Sequence, residues 1–340
     1  MEFKGIEICC PRCHGDLHWQ GAYLEQLTCL DCGADYPVIC DIPDLRIFPD
    51  PYIGFDADRD KGRGLAVEAQ SRDLPALIDH YYASTSVVPP QQALQFKRGL
   101  LAAGDRASAA LAAWEAAENT PPPGRRMLEI GCGTSPLLVA AQQKGYQAAG
   151  VDIAFRWLVV GRKRLEAAGL DIPLICACAE ALPFPDAGFE LVVLDSVIEH
   201  VRDQDTVLAQ CHRVMVPRAS LYLATPNRFS IGPDPHTGYP AGSLYPAALT
   251  AALVKHQGGI PPKRQLLSLF SLRRKLTQTG FSDTCVFLPD VPDRQRAHYP
   301  RLLQLAVSAY HLLKSLPLSR HLLYLIGPLL YAVSKRNGNR

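Results

Sequence analysis

Apolar and polar positions alternate at two periods along this chain, and the switches between them mark its elements. Residues 49–75, rich in Asp, Arg, Gly and Pro, read as a linker. Ala76 to Tyr82 is a short helical stretch ending in His80-Tyr81-Tyr82, and residues 92–118, rich in Ala and Leu, read as helix. Thr120-Pro-Pro-Pro-Gly124 stops that helix. From Arg125 onward, apolar-biased segments change period repeatedly. Met127–Ile130, Tyr146–Val151 and Phe189–Asp195 read as strands, Leu137–Lys144 reads as helix, and Leu221 begins a strand that runs into a loop at Asn227. Such alternation predicts an α/β fold with a doubly wound, mostly parallel sheet.

The end of the chain follows a third pattern. Leu302 to Leu316 places Gln304, Ser308, His311 and Ser315 on one helical stripe. Leu303, Ala306, Val307, Tyr310 and Leu313 occupy the opposite side, which makes an amphipathic helix. His321 to Val333 is almost wholly apolar, with Gly327-Pro328 as a kink and Lys335-Arg336 behind it. Thirteen residues are too few to span a bilayer but enough to lie in its interface. The expected organisation is therefore a small N-terminal module (1–48), a linker with leading helices (49–124), the α/β domain (125–290) and a basic, hydrophobic helical tail (291–340).

Composition narrows the picture. With 340 residues, 48% hydrophobic and 20% charged, the chain is long enough for about two domains and excludes global disorder or a collagen-like fold. The net charge of +2 hides a gradient. Residues 1–50 carry 3 basic and 9 acidic side chains, net −6, and residues 251–340 carry 14 and 3, net +11. The front of the molecule is a poor phosphate binder, whereas its last quarter suits an anionic surface. Met1–Glu7 lacks the apolar stretch of a secretory leader, and the expected location is cytoplasmic, with peripheral contact at the inner face of the membrane.

Among the 11 cysteines, Cys10-Pro-Arg-Cys13 and Cys29-Leu-Asp-Cys32 form two CxxC knuckles with 15 residues between them. That is the spacing of a structural four-cysteine zinc site. Each knuckle aims two thiolates at one point, and a closed tetrahedron leaves no position for a reacting water, so its role is folding. About 40 residues cannot build a stable core alone, which gives the metal a purpose. A redox CxxC is the competing reading, and the adjacent Cys9 competes with Cys10. The following Tyr36-Pro-Val-Ile-Cys-Asp-Ile-Pro-Asp-Leu45 makes residues 7–48 resemble the small zinc-ribbon family that activates tRNA and rRNA methyltransferases. Cys40-Asp41 stands where that family usually has Asp-Gly.

Met127-Leu-Glu-Ile-Gly131-Cys-Gly133-Thr-Ser-Pro136 is a strand running into a glycine turn, where the backbone can approach a ligand closely. Asp152 lies 21 residues beyond Gly131, the distance at which an acid reaches a ribose hydroxyl. Pro136 disfavours a dinucleotide pyrophosphate, and Glu129 suits a cationic ligand better. The set resembles motif I of class I S-adenosylmethionine (SAM)-dependent methyltransferases, with Ser135 in place of the third glycine. Cys178-Ala-Glu-Ala-Leu-Pro-Phe-Pro-Asp186, Ser196-Val-Ile-Glu-His200 and Arg213-Val-Met-Val-Pro217 resemble further segments of the ubiquinone/menaquinone-biosynthesis-like, or type 11, group across residues 125–228. The resemblance implies a Rossmann-like, seven-stranded methyltransferase sheet.

It also implies roles. Gly131 and Gly133 line the methionine part of SAM, and Glu129 steadies the loop and the ligand amine. Asp152 takes the ribose hydroxyls, Ile153 packs on the adenine, and Ala179 and Glu180 fall at the adenine edge. Asp195 and Ser196 lie near the methyl donor. The family often has Asp at the position of Cys178, so either Glu180 or a backbone carbonyl replaces it. Because a sulfonium methyl is already electrophilic, the protein chiefly supplies alignment, and a base is needed only for a weakly acidic acceptor. His200 is the candidate base; Glu199 and His200 holding a divalent metal is the alternative. Asn227, Arg228 and His236, in or beside a Pro/Gly loop, are the acceptor-side candidates.

Three functions compete. The preferred one is methyl transfer to a hydrophobic small molecule or lipid-like acceptor, such as a quinone, polyprenyl or glycolipid precursor, with the membrane touched through residues 302–336. The second is an rRNA or tRNA methyltransferase, suggested by the ribbon but opposed by its acidity. The third is a non-catalytic SAM-binding scaffold whose ribbon recruits a protein partner.

Overall fold

The structure is a computed structural model that describes residues 1–20, 25–85, 88–118, 122–234, 238–291, 296 and 301–338. The chain opens with a two-stranded ribbon, β1 (Glu2–Phe3) and β2 (Ile6–Glu7). An antiparallel four-stranded sheet follows: β3 (Leu17–Gln20), β4 (Gln26–Cys29), β5 (Asp35–Ile39) and β6 (Ile42–Pro43). The apolar side chains of this N-terminal module, Ile8, Leu17, Leu27, Tyr36 and Leu45, do not form a separate core. They pack into one cluster with Leu128, Ile130, Ile175 and Phe184 of the large domain. The backbone joins the two as well. The Leu45 N–H donates to the Cys176 carbonyl at 2.7 Å, and Asp44 bridges Cys176 in parallel register, so the N-terminal module covers the edge of the large sheet.

Four helices come next: α1 (Phe55–Ala69), α2 (Leu74–Ala83), α3 (Pro90–Leu101) and α4 (Ala103–Ala117). The first corrects the expected linker over 49–75. Only Asp58, Gly62 and Leu65 of α1 are buried, a narrow i, i+4, i+7 stripe that holds one acid and one glycine and so carries almost no apolar signal. Gly62 is there for close approach: a Cβ would stand 2.3 Å from the Phe155 ring. The helix expected over 92–118 is divided at Ala102, between α3 and α4. Asp73 caps α2, its side chain accepting from the Ala76 N–H at 2.9 Å, and Pro75 lies in the first turn.

The large domain alternates as expected: β7 (Arg126–Ile130), α5 (Pro136–Gln143), β8 (Gln147–Asp152), α6 (Phe155–Ala167), β9 (Leu174–Cys176), β10 (Phe189–Asp195), α7 (Gln204–Val214) and β11 (Met215–Pro226). Then come α8 (Ala247–His256), α9 (Leu269–Gln278) and β12 (Phe281–Phe287). A helix over Arg301–Ser315, a second over Pro317–Ile326 and β13 (Leu329–Arg336) close the chain. Among the described residues the sheet has seven strands in the order β12-β13-β11-β10-β7-β8-β9. All neighbours are parallel except those of β13, which runs antiparallel between β11 and β12. Residues of β7, β8 and β10 are buried on both faces, as the covered strands of a parallel sheet must be.

The tail is the second correction. Residues 291–340 were expected to be helical, yet 329–336 form an inner strand, with Tyr222 opposite Val333 and Phe287 opposite Tyr331. Its apolar run is that of a strand buried from both sides, which spacing alone does not separate from a buried helix segment. Lys335 is ion-paired with Glu118, which also accepts from the Ser220 and Tyr222 hydroxyls, so this lysine does not face a membrane. The two tail helices stay on the surface, and no residue of Pro317–Ile326 is buried. Among the described residues no helix is long and apolar enough to cross a membrane.

Candidate functional site

The strand order reverses beside β7, and ligands of open α/β sheets bind outside the carboxyl ends of the strands at such a point. A cavity of about 850 Å³ lies there, lined by Gly131, Asp152, Ile153, Ala179, Glu180 and Ser196 among others. Six of the nine residues expected around the cofactor thus line one cavity. Glu129, Gly133 and Asp195 do not line it. Gly131 has φ +74°, and a Cβ there would stand 2.2 Å from Val197, so only glycine fits the turn. Ser135 has φ +62°, a left-handed conformation that glycine takes without strain and that costs other residues about 1–2 kcal/mol. This explains a glycine at that place in the resembled motif.

The Asp152 carboxylate is aimed by the loop. One oxygen accepts from the Gly133 N–H at 2.8 Å and the other from the Ala154 N–H at 2.7 Å, while burial raises its pKa. Each oxygen keeps a lone pair for a ligand hydroxyl. Glu129 is buried, and its Oε2 has no hydrogen-bond partner among the described residues. Burial, with Asp195 and Asp152 nearby, pushes its carboxyl well above the ordinary range. A buried carboxylate oxygen with no partner is costly unless a ligand cation supplies one. Glycine cradle, aimed acid and orphaned carboxylate together fit a ribose-bearing cofactor with an amine. The departure at Cys178 also has a cause: its thiol is buried, does not line the cavity and donates to the Phe48 carbonyl at 3.4 Å. A carboxylate there would meet that oxygen head-on. Glu180 accepts from the Arg202 N–H at 2.7 Å.

The same cavity also has an aromatic wall, lined by the leading helices and by Trp157 of α6, beside residues of the segment read as a linker. Tyr81 packs on Trp157 with ring centroids 4.4 Å apart, and Phe96 and Tyr82 extend the apolar surface. Lys61 stands 4.2 Å from the Tyr81 ring centroid and donates to the Thr85 hydroxyl at 2.6 Å. The His80-Tyr81-Tyr82 run was the one sequence signal for this wall.

Behind it lies an ion network that the sequence did not announce. Arg46 is fully buried and grips Asp44 with Nε and Nη2, each at 2.7 Å. Its Nη1 reaches Asp58 at 2.7 Å and the Ile153 carbonyl at 2.9 Å. Asp58 also accepts from the Phe155 N–H and from Arg156, which reaches on to Asp50. One guanidinium therefore ties the N-terminal module and α1 to the residue that follows Asp152.

The acceptor-side candidates separate. His200 lines the cavity; its side chain is 30% exposed, and burial lowers its pKa, which keeps the ring neutral and able to take a proton. Asn227 is fully buried away from it, its Nδ2 donating to the Leu325 carbonyl and its Oδ1 accepting from the Phe229 N–H, so it fastens the end of β11 to the tail. Arg228 borders a separate pocket of about 80 Å³, and His236 lies outside the described residues. Glu199 is buried beside His200, its Oε1 3.9 Å from Nε2, and its Oε2 accepts from the Thr225 hydroxyl at 3.0 Å. Burial, with a contribution from Asp195, lifts its carboxyl to about 7. A raised acid disfavours folding increasingly as pH climbs from its unfolded value through its folded one. Glu199→Gln should therefore raise the melting temperature more at pH 8 than at pH 5; an equal shift at both would remove the assignment.

The Sγ atoms of Cys10, Cys13, Cys29 and Cys32 lie within 4.8 Å of one another, with Cys10–Cys32 at 3.7 Å and Cys13–Cys29 at 3.4 Å. A tetrahedron with zinc–sulfur bonds near 2.3 Å has edges of about 3.8 Å, so the cluster is able to hold such a metal. Among the described residues it is the one group of His, Cys, Asp or Glu side chains so arranged. The Cys10 carbonyl accepts from the His14 N–H and the Cys29 carbonyl from the Gly33 N–H, which closes both knuckles. Cys9 turns into the core, where burial pushes its thiol up to about 11.

Residues 128–223 match the methyltransferase domain family. Among curated proteins, the ubiquinone biosynthesis O-methyltransferase of Idiomarina loihiensis is 31% identical over 106 residues, covering 31% of this chain and 44% of that one. The demethylmenaquinone methyltransferase of Thermus thermophilus is 32% identical over 101 residues, covering 29% and 46%. The chain spans less than half the length of these relatives. A solved SAM-dependent methyltransferase from Mesorhizobium loti superposes with a TM-score of 0.48 at 18% identity, covering 67% of this chain and 98% of that one. Residues 128–223 are thus similar to the methyltransferase domain family and to the ubiquinone and menaquinone methyltransferases.

Proposed function

We propose that this chain transfers a methyl group from SAM to a hydrophobic small-molecule acceptor of quinone-like or other lipid-like character. The observation that carries the reading is a cavity lined both by the glycine turn with Asp152 and by the Tyr81–Trp157 aromatics. Its volume of about 850 Å³ is at the upper end for small-ligand sites and leaves room for an acceptor beside a cofactor. SAM, when bound, supplies an electrophilic sulfonium methyl. Asp152 would orient the ribose, Gly131 would admit the backbone to close contact, and Glu129, set behind the lining, would steady the loop and reach the amine through bridging contacts. The aromatic wall holds the acceptor and excludes water. His200, neutral at physiological pH, takes the proton from an acceptor hydroxyl. The cysteine cluster holds a structural zinc ion.

The test is methyl-labelled SAM given to the purified chain with separate lipid, RNA and protein fractions. Label is expected in the organic phase, and Asp152→Ala should reduce it by about 10- to 100-fold, the worth of a hydrogen bond to a charged group. Label in RNA would overturn the reading. Membrane contact, proposed for 302–336, narrows to the two surface helices, since β13 is inside the sheet. Leu305, Leu312, Leu316, Leu322 and Leu318 (89% exposed) are exposed apolar side chains of these helices and the link between them, with the exposed Arg320 among them. The chain should sediment with vesicles containing anionic phospholipid at low salt, and Leu318→Asp with Leu322→Asp should abolish this; unchanged sedimentation would exclude the helices as the contact.

A further inference from the structure

A second cavity, of about 380 Å³, adjoins the first and shares Asp50, His200 and Arg202 with it. Its remaining lining includes Lys263 and Arg264. Three cations thus converge on one concavity. Two of them are held by neutral groups. Arg202 stacks over Phe48, its guanidinium carbon 3.7 Å from the ring centroid, and donates to the Pro49 carbonyl at 3.3 Å. Lys263 donates to the Pro51 carbonyl at 2.8 Å. Carbonyl and ring contacts fix the position of a cation without cancelling its charge. Arg264 gives Nη2 to Asp234 at 2.6 Å, but its buried Nη1 has no hydrogen-bond partner among the described residues. The one carboxylate on the lining, Asp50, is already engaged by Arg156 at 3.3 Å and by the Tyr52 N–H at 2.7 Å. The concavity is therefore net positive, and its low-dielectric walls focus that field.

We propose that this annex binds an anionic group, a phosphate ester or a carboxylate, carried by the methyl acceptor. The acceptor is then an amphiphile. Its anion sits between Arg202 and Lys263, its reacting atom lies near His200 where the two cavities join, and its apolar part lies against the aromatic wall. This rests on the methyl-transfer reading of the larger cavity and adds the charge of the substrate to it. The sequence hid the annex because its cations lie more than 60 residues apart, at 202 and at 263–264.

Calorimetric titration of the purified chain with farnesyl monophosphate, farnesoic acid and farnesol tests the annex, and S-adenosylhomocysteine titrated alongside tests the larger reading. Both anions should bind about tenfold or more tightly than the alcohol, the worth of one hydrogen bond to a charged group. Lys263→Gln, which changes a side chain on the lining of the annex but not on that of the larger cavity, should remove most of that preference and leave the affinities for farnesol and S-adenosylhomocysteine unchanged. Equal binding of the three farnesyl compounds, or a preference untouched by Lys263→Gln, would overturn the annex. Failure of S-adenosylhomocysteine to bind the native chain would instead remove the methyl-transfer reading, and the farnesyl series would still decide whether the annex holds an anion.

Discussion

Arg46→Met should destabilise the folded chain by about 3–5 kcal/mol, the cost of removing one member of a buried, hydrogen-bonded ion network. Asp44, Arg46 and Asp58 have fully buried side chains, and losing the guanidinium leaves two carboxylates in the interior beside a carbonyl that has lost its donor. Asp44 retains Arg59, and Asp58 retains Arg156, so the loss stops short of unfolding. Arg46→Lys should fall between native and Met, because an ammonium replaces the charge but not the fork that holds Asp44 with two nitrogens. Urea midpoints measure this directly, and a loss under about 1 kcal/mol for Arg46→Met would show that the network is not a stabilising unit. The network also predicts a pH response. Burial acts against the charged form of Asp44, but Arg46 and Arg59 outweigh it and hold its pKa below the ordinary value. Its stability contribution is present above that ordinary value and is lost as pH falls through the depressed one; Arg46→Met should flatten this acid limb.

Removing the zinc proposed for the cysteine cluster should have the larger effect. Structural zinc in small cysteine sites contributes an apparent 10 kcal/mol or more, roughly, to folding. Here the module also packs into the core of the large sheet and covers its β9 edge through Asp44 and Leu45. Chelation, or Cys29→Ser, should lower the melting temperature and speed hydrogen exchange at the amides of Cys10 and Leu45, with little change in the interior of β10. Because Arg46 follows that edge and holds the Ile153 carbonyl, affinity for S-adenosylhomocysteine should fall in parallel. A chain purified without bound metal, with unchanged exchange in Cys29→Ser, would show that the cluster is a set of ordinary thiols.

The parts of this protein that were legible in its sequence are those whose chemistry is local. Two CxxC knuckles announce their own convergence, because each needs only a turn. Gly131, the strand before it and Asp152 could be placed because a strand, a tight turn and a helix fix their relative positions within about 25 residues. Alternation of periods was enough for a doubly wound sheet.

What escaped depended on partners far away in the chain. The polarity of α1 hid a helix whose buried face is a glycine against Phe155 and an acid against Arg46. The apolar run through Tyr331 and Val333 looked like a membrane-facing tail because only a neighbouring β11 and β12 make it a strand. Asn227 had the residue type and position of an acceptor contact, but its amide is consumed by the tail it fastens. By itself the sequence determined the fold class, the glycine turn with its acid, and the four-cysteine group, since short-range backbone geometry dictates each. The tertiary structure alone decided which side chains face the cavity, which cations are left uncompensated and where the N-terminal module anchors, because burial and charge pairing are properties of neighbours that the chain brings together only when it folds.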